Sequence, residues 1–328
     1  MTDGNGPSGT AIPDGGGLEA RRRPYRGWVG LVANRSAGTG QGRARVLTLV
    51  RALRAGGYRT RIAWTPEARS LLVDRAAREP QARCLVAVGG DGTVAALLNE
   101  RPGVPVTVLA CGTENLFARH FGLGDPKLVA DAIMDGRVYP MDVGRARGYR
   151  FSLMAGFGFD ADVVTRHHRQ RTALTGSARP TNRVAYVEPV VRSSLGYRFP
   201  TIQVDIGDEG GPRECLLGTS VFVFNLPRYA LGLPFAPDAR ADDGLLDLVV
   251  FRDPGPLNAL RYLWLVLRGL HLKAPGVEHR HVRRLVVRSD QPVPFQLDGD
   301  PGGSLDSEGT VIEVEPHAVD IVVPQDFH

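Results

Sequence analysis

The chain has 328 residues, a formal net charge of +5, and 43% hydrophobic and 23% charged residues. That length favours two domains with ample core, and the composition excludes wholesale disorder. The mild basicity does not by itself argue for nucleic acid, and no zinc-finger spacing, RNA-binding aromatic motif or Lys/Arg block points to one; it suits anionic phosphates or an anionic leaflet.

Met1–Glu19 is Gly-rich and polar and lacks the apolar core of a signal peptide. Arg21-Arg22-Arg23 is followed by Tyr25-Arg26-Gly27 rather than an apolar stretch, so residues 1–23 read as a flexible leader. Trp28–Ala33 is a buried-strand candidate, followed by the Gly-rich loop Asn34–Gly42. Val46, Leu49, Val50 and Leu53 have helical spacing within 43–55, and Gly56-Gly57 ends that helix. Tyr58–Trp64 reads as a second strand and Ala68–Arg78 as a second helix. Cys84–Val88 is a third strand, running into Gly89-Gly90-Asp91-Gly92-Thr93. Val104–Leu109 is a fourth, running into Gly112-Thr113-Glu114-Asn115. Strand alternating with helix implies a parallel, helix-covered sheet.

Beyond about Asp142 the pattern changes. Phe151–Ala155, Thr201–Ile206, Leu216–Asn225, Leu246–Phe251, Leu285–Val287, Phe295–Leu297 and Val311–Val314 read as strands separated by Gly, Pro and Asp turns, as in an antiparallel sandwich. Arg183–Leu195 and Leu257–Leu272 read as helices. The second is apolar nearly all round, which predicts a buried helix. No segment has the roughly 18 uninterrupted apolar residues needed to span a membrane. Cys84, Cys111 and Cys215 sit in apolar runs without paired spacing, so three reduced, buried thiols of a cytosolic protein are expected.

The strongest chemical signal is Gly89–Thr93 at a strand's carboxyl end, where ligands bind in open α/β sheets. Glycines let backbone N–H groups approach a phosphate chain, and a following helix adds its positive end. Asp91 would repel phosphate there unless it holds Mg²⁺ or takes a proton. Thr113 and Asn115 fit nucleotide contacts or helix caps equally well. The loop opening with Asn34 lies at the same sheet edge and fits either a nucleotide contact or a surface turn. Asp242-Asp243-Gly244 reads first as a turn and second as a hard-cation site. Asp298-Gly299-Asp300 reads as a hairpin turn, or as the carboxylate that takes a proton from an acceptor hydroxyl.

In this order the motifs resemble the diacylglycerol kinase catalytic family, particularly bacterial lipid kinases, with sphingosine kinases as relatives. The resemblance rests on Asn34–Gly38, Gly89–Thr93 with Asn99, Gly112–Asn115 with Phe117-Ala118, Gly156–Asp160, Pro237 with Asp243-Gly244, and Asp298-Gly299. It implies an α/β nucleotide-binding domain, similar to NAD kinases and phosphofructokinases, followed by an antiparallel β-sandwich. The corresponding boundaries are 24–142, with 315–328 as a candidate completion, and 143–314. ATP contacts are implied at Gly89, Gly90, Asp91, Gly92, Thr93, Thr113 and Thr65, beside Asn34 and Asn115 from the loops above. A structural Mg²⁺ is implied on Asp243 with the carbonyls of Arg240 and Leu245, and Asp300 is implied as proton acceptor. The chain departs from the family pattern at Arg35 (Pro in the family), Ala95 (Asn), Ala96 (Glu), Leu116 (Asp) and Asp300 (Glu).

The expected activity is γ-phosphate transfer from ATP to a lipid hydroxyl such as that of diacylglycerol or a sphingoid base. The alternatives are a non-catalytic nucleotide- or lipid-binding member and an NAD kinase. The expected partner is a lipid presented by a membrane surface, and a homodimer is compatible with the resemblance. The expected location is the cytoplasm, with peripheral contact at the inner membrane face.

Overall fold

The structure is a computed structural model that describes residues 21–22, 27–33, 40–175, 196–207 and 214–327. The expected helix over 183–195 and the loop contact Asn34 lie outside the described residues, as do residues 1–20 and 23 of the expected flexible leader, whose Arg21–Arg22 instead form a short strand paired with Arg137–Val138.

After a two-residue strand β1 (Arg21–Arg22), the first half alternates strand and helix. Its elements are β2 (Trp28–Ala33), α1 (Gly40–Ala55), β3 (Arg59–Ala63), α2 (Pro66–Arg78), β4 (Ala82–Gly89), α3 (Asp91–Asn99), β5 (Val106–Ala110), α4 (Leu116–His120) and α5 (Pro126–Asp135). Strands β3, β2, β4 and β5 are neighbours in that order and all pairs are parallel. Every residue of β2 and β4 is buried, which is why both read as continuous apolar runs. Local signals set the helix ends. Thr65 caps α2 ahead of Pro66, Asp125 caps α5 ahead of Pro126, and Gly136 (φ 76°) ends α5 in the left-handed region.

The second half is a β-sandwich. Its elements are β6 (Arg137–Ala146), β7 (Tyr149–Phe151), β8 (Met154–Gly158), α6 (Phe159–Thr175), β9 (Ile202–Ile206), β10 (Glu214–Gly218), β11 (Ser220–Phe224), β12 (Leu246–Phe251), α7 (Pro256–Leu267), β13 (Val277–Val282), β14 (Arg284–Arg288), β15 (Val293–Leu297), β16 (Asp300–Leu305) and β17 (Thr310–Val322). One antiparallel sheet runs β13-β12-β11-β8-β15-β16. Facing it, β10, β9, β14, β17, β6 and β7 form the antiparallel part of the larger sheet. Phe151, Phe157, Val223, Leu248, Leu285, Val287 and Phe295 fill the core between them. The first part of β17 pairs with β14 and β6. Its register shifts between Glu315 and Val319, and Ile321 then lies parallel to Val106 of β5. The last strand therefore joins the two halves through one sheet.

Four further expectations are corrected. The strand expected over Phe151–Ala155 breaks at Ser152-Leu153, because the Asp298 carboxylate accepts those amides. The strand expected over Leu216–Asn225 divides into β10 and β11, which lie in different sheets. At the break, a Cβ on Gly218 would lie 2.4 Å from Val250 Cγ1, so only glycine permits the approach. The helix within Leu257–Leu272 is largely exposed: of α7, only Tyr262 and Val266 are buried, with Leu265 partly buried against the core. Of the three free thiols, only Cys84 is buried; Cys111 is half-buried, and Cys215 is exposed on edge strand β10.

Candidate functional site

The loops after β4 and β5 meet at the carboxyl end of the parallel sheet. Cys111 N donates to Gly89 O at 2.8 Å. A Cβ on Gly112 would lie 2.5 Å from Gly90 Cα, so the two backbones touch where no side chain fits. No side chain caps α3 at Gly90, and Thr93 N bonds back to Gly90 O at 2.9 Å.

Asp91 fastens the two loops together. Its carboxylate accepts from Leu116 N (3.0 Å) and Phe117 N (2.9 Å), the first amides of α4. Burial nevertheless raises this carboxyl above the usual range, against the pull of those two amides. Asn115, at φ 51°, accepts from Gly112 N and donates to Gly112 O, both at 2.8 Å, so its side chain closes its own loop. Thr65 Oγ accepts from Ala68 N at 3.2 Å as the cap of α2, and Thr113 is exposed. Asn99 braces α3 against the sandwich: its amide donates to Arg150 O (2.9 Å) and accepts from Arg150 N (2.8 Å).

Beside these loops opens a cleft of about 340 Å³, lined by Arg45, Cys111, Glu114, Asn115 and Arg119 among others. Arg45 reaches Gly124 O with one terminal nitrogen, while its Nε is buried without a partner. An orphaned cationic donor in a glycine-lined cleft suits a phosphate. The sandwich reaches the same cleft, with Leu231 N donating to Glu114 Oε2 at 2.8 Å.

The hairpin between β15 and β16 faces the glycine loop. Asp298, at φ 50°, accepts from Ser152 N (2.7 Å), Ser152 Oγ (2.9 Å), Leu153 N (2.7 Å) and Met154 N (3.0 Å). Burial pushes this carboxyl up to about 6, opposed by those donors. Asp300, two residues on, is exposed, and its Oδ2 would lie 3.9 Å from a Cβ built on Gly92. The hairpin thus brings one caged carboxylate and one accessible carboxylate to the glycine-loop side. Behind it, Gln296 Nε2 donates to Asp160 Oδ2 (3.0 Å) and Tyr229 OH (3.1 Å), and Tyr229 OH donates to Asp160 (3.3 Å). Burial pushes the Asp160 carboxyl up to about 6.

The turn at Asp243 is built from the backbone inward. Asp142, on β6, accepts from Gly244 N and His317 N, both at 2.7 Å, and ties the turn to the bulge of β17. Asp243 Oδ1 accepts from Leu245 N at 2.9 Å, and Gly244 has φ 72°. Arg240 pairs with Asp242 rather than Asp243. Burial raises the Asp243 carboxyl, and the charges of Asp247 and Asp242 raise it further. An exposed carboxylate among like charges, on a tight turn, fits a hard cation.

Sequence reading missed Arg45, Arg119, Asp142 and Tyr229. Each owes its position to tertiary packing rather than to a motif. Asp160 was noticed only as the end of a Gly-rich motif.

Comparisons with known proteins bear on this geometry. Residues 29–146 match the diacylglycerol kinase catalytic domain, and residues 154–323 match the YegS C-terminal NAD kinase beta sandwich-like domain. A diacylglycerol kinase of Mycobacterium tuberculosis is 27% identical over 269 residues, covering 79% of this chain and 82% of the relative. A diacylglycerol kinase of Bacillus subtilis is 24% identical over 251 residues, covering 74% and 78%. The crystal structure of a diacylglycerol kinase from Bacillus anthracis superimposes with a TM-score of 0.65 at 18% identity, covering 93% of this chain and all of the other. The strand-end loops and the facing Asp298–Asp300 hairpin thus fall within matched segments, and the chain belongs to the diacylglycerol kinase catalytic-domain family.

Proposed function

We propose that the protein is a lipid kinase that transfers the γ-phosphate of ATP to a lipid hydroxyl, with diacylglycerol or a sphingoid base as the acceptor class. The observation that carries the reading is the approach of Asp300 to Gly92, which sets an exposed carboxylate of one domain beside the glycine loop of the other.

The nucleotide lies along Gly89–Thr93 and Gly112–Asn115, with Arg45 and Arg119 offsetting phosphate charge. Asp300 accepts the hydroxyl proton while the hydroxyl oxygen attacks the γ-phosphorus and ADP leaves. Asp91 is the weaker candidate for that base, because both its oxygens already accept amides. Asp91 instead holds the two loops at a fixed spacing. Asp243, with the carbonyls of Arg240 and Leu245, would hold Mg²⁺, which there would neutralise charge and stiffen the turn.

Helix α7 supports access from a membrane. It exposes Leu257 (80%), Leu260 (60%), Trp264 (54%) and Leu267 (59%) on one stripe. Arg261 and Arg268 flank that stripe, with Arg268 stacked 5.6 Å above Trp264. An apolar stripe edged with arginine suits the interface of an anionic leaflet. Among the described residues no helix is long and apolar enough to cross a membrane.

The test supplies labelled ATP with diacylglycerol, a sphingoid base or NAD, the lipids in anionic vesicles. Label on a lipid is expected. Label on NAD alone would overturn the acceptor class, and no transfer to any acceptor would favour a binder without turnover. Replacing Leu260 and Trp264 by Glu should release the protein from sedimenting vesicles, and unchanged sedimentation would remove α7 from the reading.

A further inference from the structure

Strands β12 and β13 form one edge of the six-stranded sheet. In their antiparallel register Asp247 stands opposite His281, and His279 shares that face two residues earlier. Both imidazoles aim at the same oxygen. His279 Nε2 lies 2.8 Å and His281 Nδ1 3.4 Å from Asp247 Oδ1. The two rings approach to 4.9 Å, closer than the roughly 6.6 Å rise between alternate strand residues, so they lean together. Among the described residues these three form the group whose donor atoms all lie within 4.8 Å of one another.

We propose that Asp247, His279 and His281 form a three-ligand site for a divalent transition-metal ion of the zinc type, completed by water. The donor set decides the class of ion. Two imidazoles and one carboxylate suit zinc and its neighbours, whereas Mg²⁺ prefers an all-oxygen shell. Ligands about 2.1 Å from a tetrahedral ion stand about 3.4 Å apart. The His281–Asp247 spacing of 3.4 Å already meets that edge. The His279–Asp247 pair has to open by about 0.6 Å from the 2.8 Å of a hydrogen bond. Accessibility is graded in the same sense. The Asp247 side chain is 3% exposed, His279 22% and His281 51%, which gives an ion a route from solvent to a buried anchor. A buried carboxylate needs a positive partner, and an ion held by both imidazoles supplies one. The ion would also clamp edge strand β13 to β12, four residues beyond Asp243.

The site is tested on the full chain, stripped with a chelator and titrated with Zn²⁺ against a chromogenic competitor in excess Mg²⁺. One Zn²⁺ per chain is expected. His281→Ala, at an exposed position, should weaken binding at least tenfold. The double variant His279→Ala/His281→Ala should abolish it. Asp243→Asn and Cys215→Ser should leave it unchanged, which separates the site from the cation turn and from the exposed thiol. Zn²⁺ should raise the Tm of the wild type and not that of the double variant. Absence of stoichiometric uptake, or uptake unaltered by both histidine changes, would overturn the proposal and leave a plain Asp247–His279 hydrogen bond.

Discussion

In the first domain, the two strand-end loops meet backbone to backbone. Gly89, Gly90 and Gly112 bring two loops into contact, and Asp91 and Asn115 spend their side chains holding those loops in place. The sandwich hairpin facing the glycine loop carries two carboxylates that differ sharply from one another. Asp298 accepts four hydrogen bonds and organises the break between β7 and β8, whereas Asp300, two residues later, is exposed toward Gly92. The difference teaches that an acidic residue in a motif can be architecture or chemistry. What separates the two is enclosure: backbone amides cage Asp298, and solvent reaches Asp300.

That division can be broken by substitution. The largest stability effect is expected for Asp298→Ala, which strands three amides and a hydroxyl. A loss of about 3 kcal/mol or more should appear in denaturant unfolding. A loss below 1 kcal/mol would mean that Asp298 is not structural. Gly112→Ala comes next, since its Cβ would meet the Gly90 backbone at 2.5 Å. A cost of about 1–3 kcal/mol and weaker ATP binding by calorimetry are expected. Unchanged ATP affinity would argue that the loop spacing is not what binds phosphate.

The smallest effect sharpens the same comparison through pH. Folding raises the Asp160 carboxyl from 3.8 to about 6, so the folded chain holds that proton more tightly than the unfolded one. The contribution is unfavourable at pH 7 and is relieved as pH falls through about 6 toward 4. Asp160→Asn has no such proton. Its Tm advantage over the wild type should therefore shrink by a few degrees between pH 7 and pH 5. A constant difference across that range would remove the raised pKa.

Much of the first domain was legible in the sequence for a physical reason. Buried parallel strands such as β4 leave unbroken apolar runs, and the paired glycines Gly56-Gly57 mark a helix end that local chemistry dictates. The sandwich was legible as a class but not in its strand boundaries. The break at Ser152 depends on Asp298, a residue 146 positions away. The division of 216–225 depends on the approach of Val250 to Gly218. Arg45 and Arg119 carry no motif, and only the packing of α1 and α4 around one cleft brings them together. The apolar helix α7 was read with the wrong environment, because an all-apolar pattern does not say whether protein or lipid covers it.

The central claim is that the first domain holds ATP and the second supplies the base. It is tested most directly by measuring ATP affinity and phosphate transfer to lipid vesicles on the same preparation of Asp300→Asn. ATP affinity and Tm close to wild type are expected, with transfer reduced by about 10²–10⁴-fold. Transfer at the wild-type rate, or loss of ATP binding in parallel with activity, would contradict it.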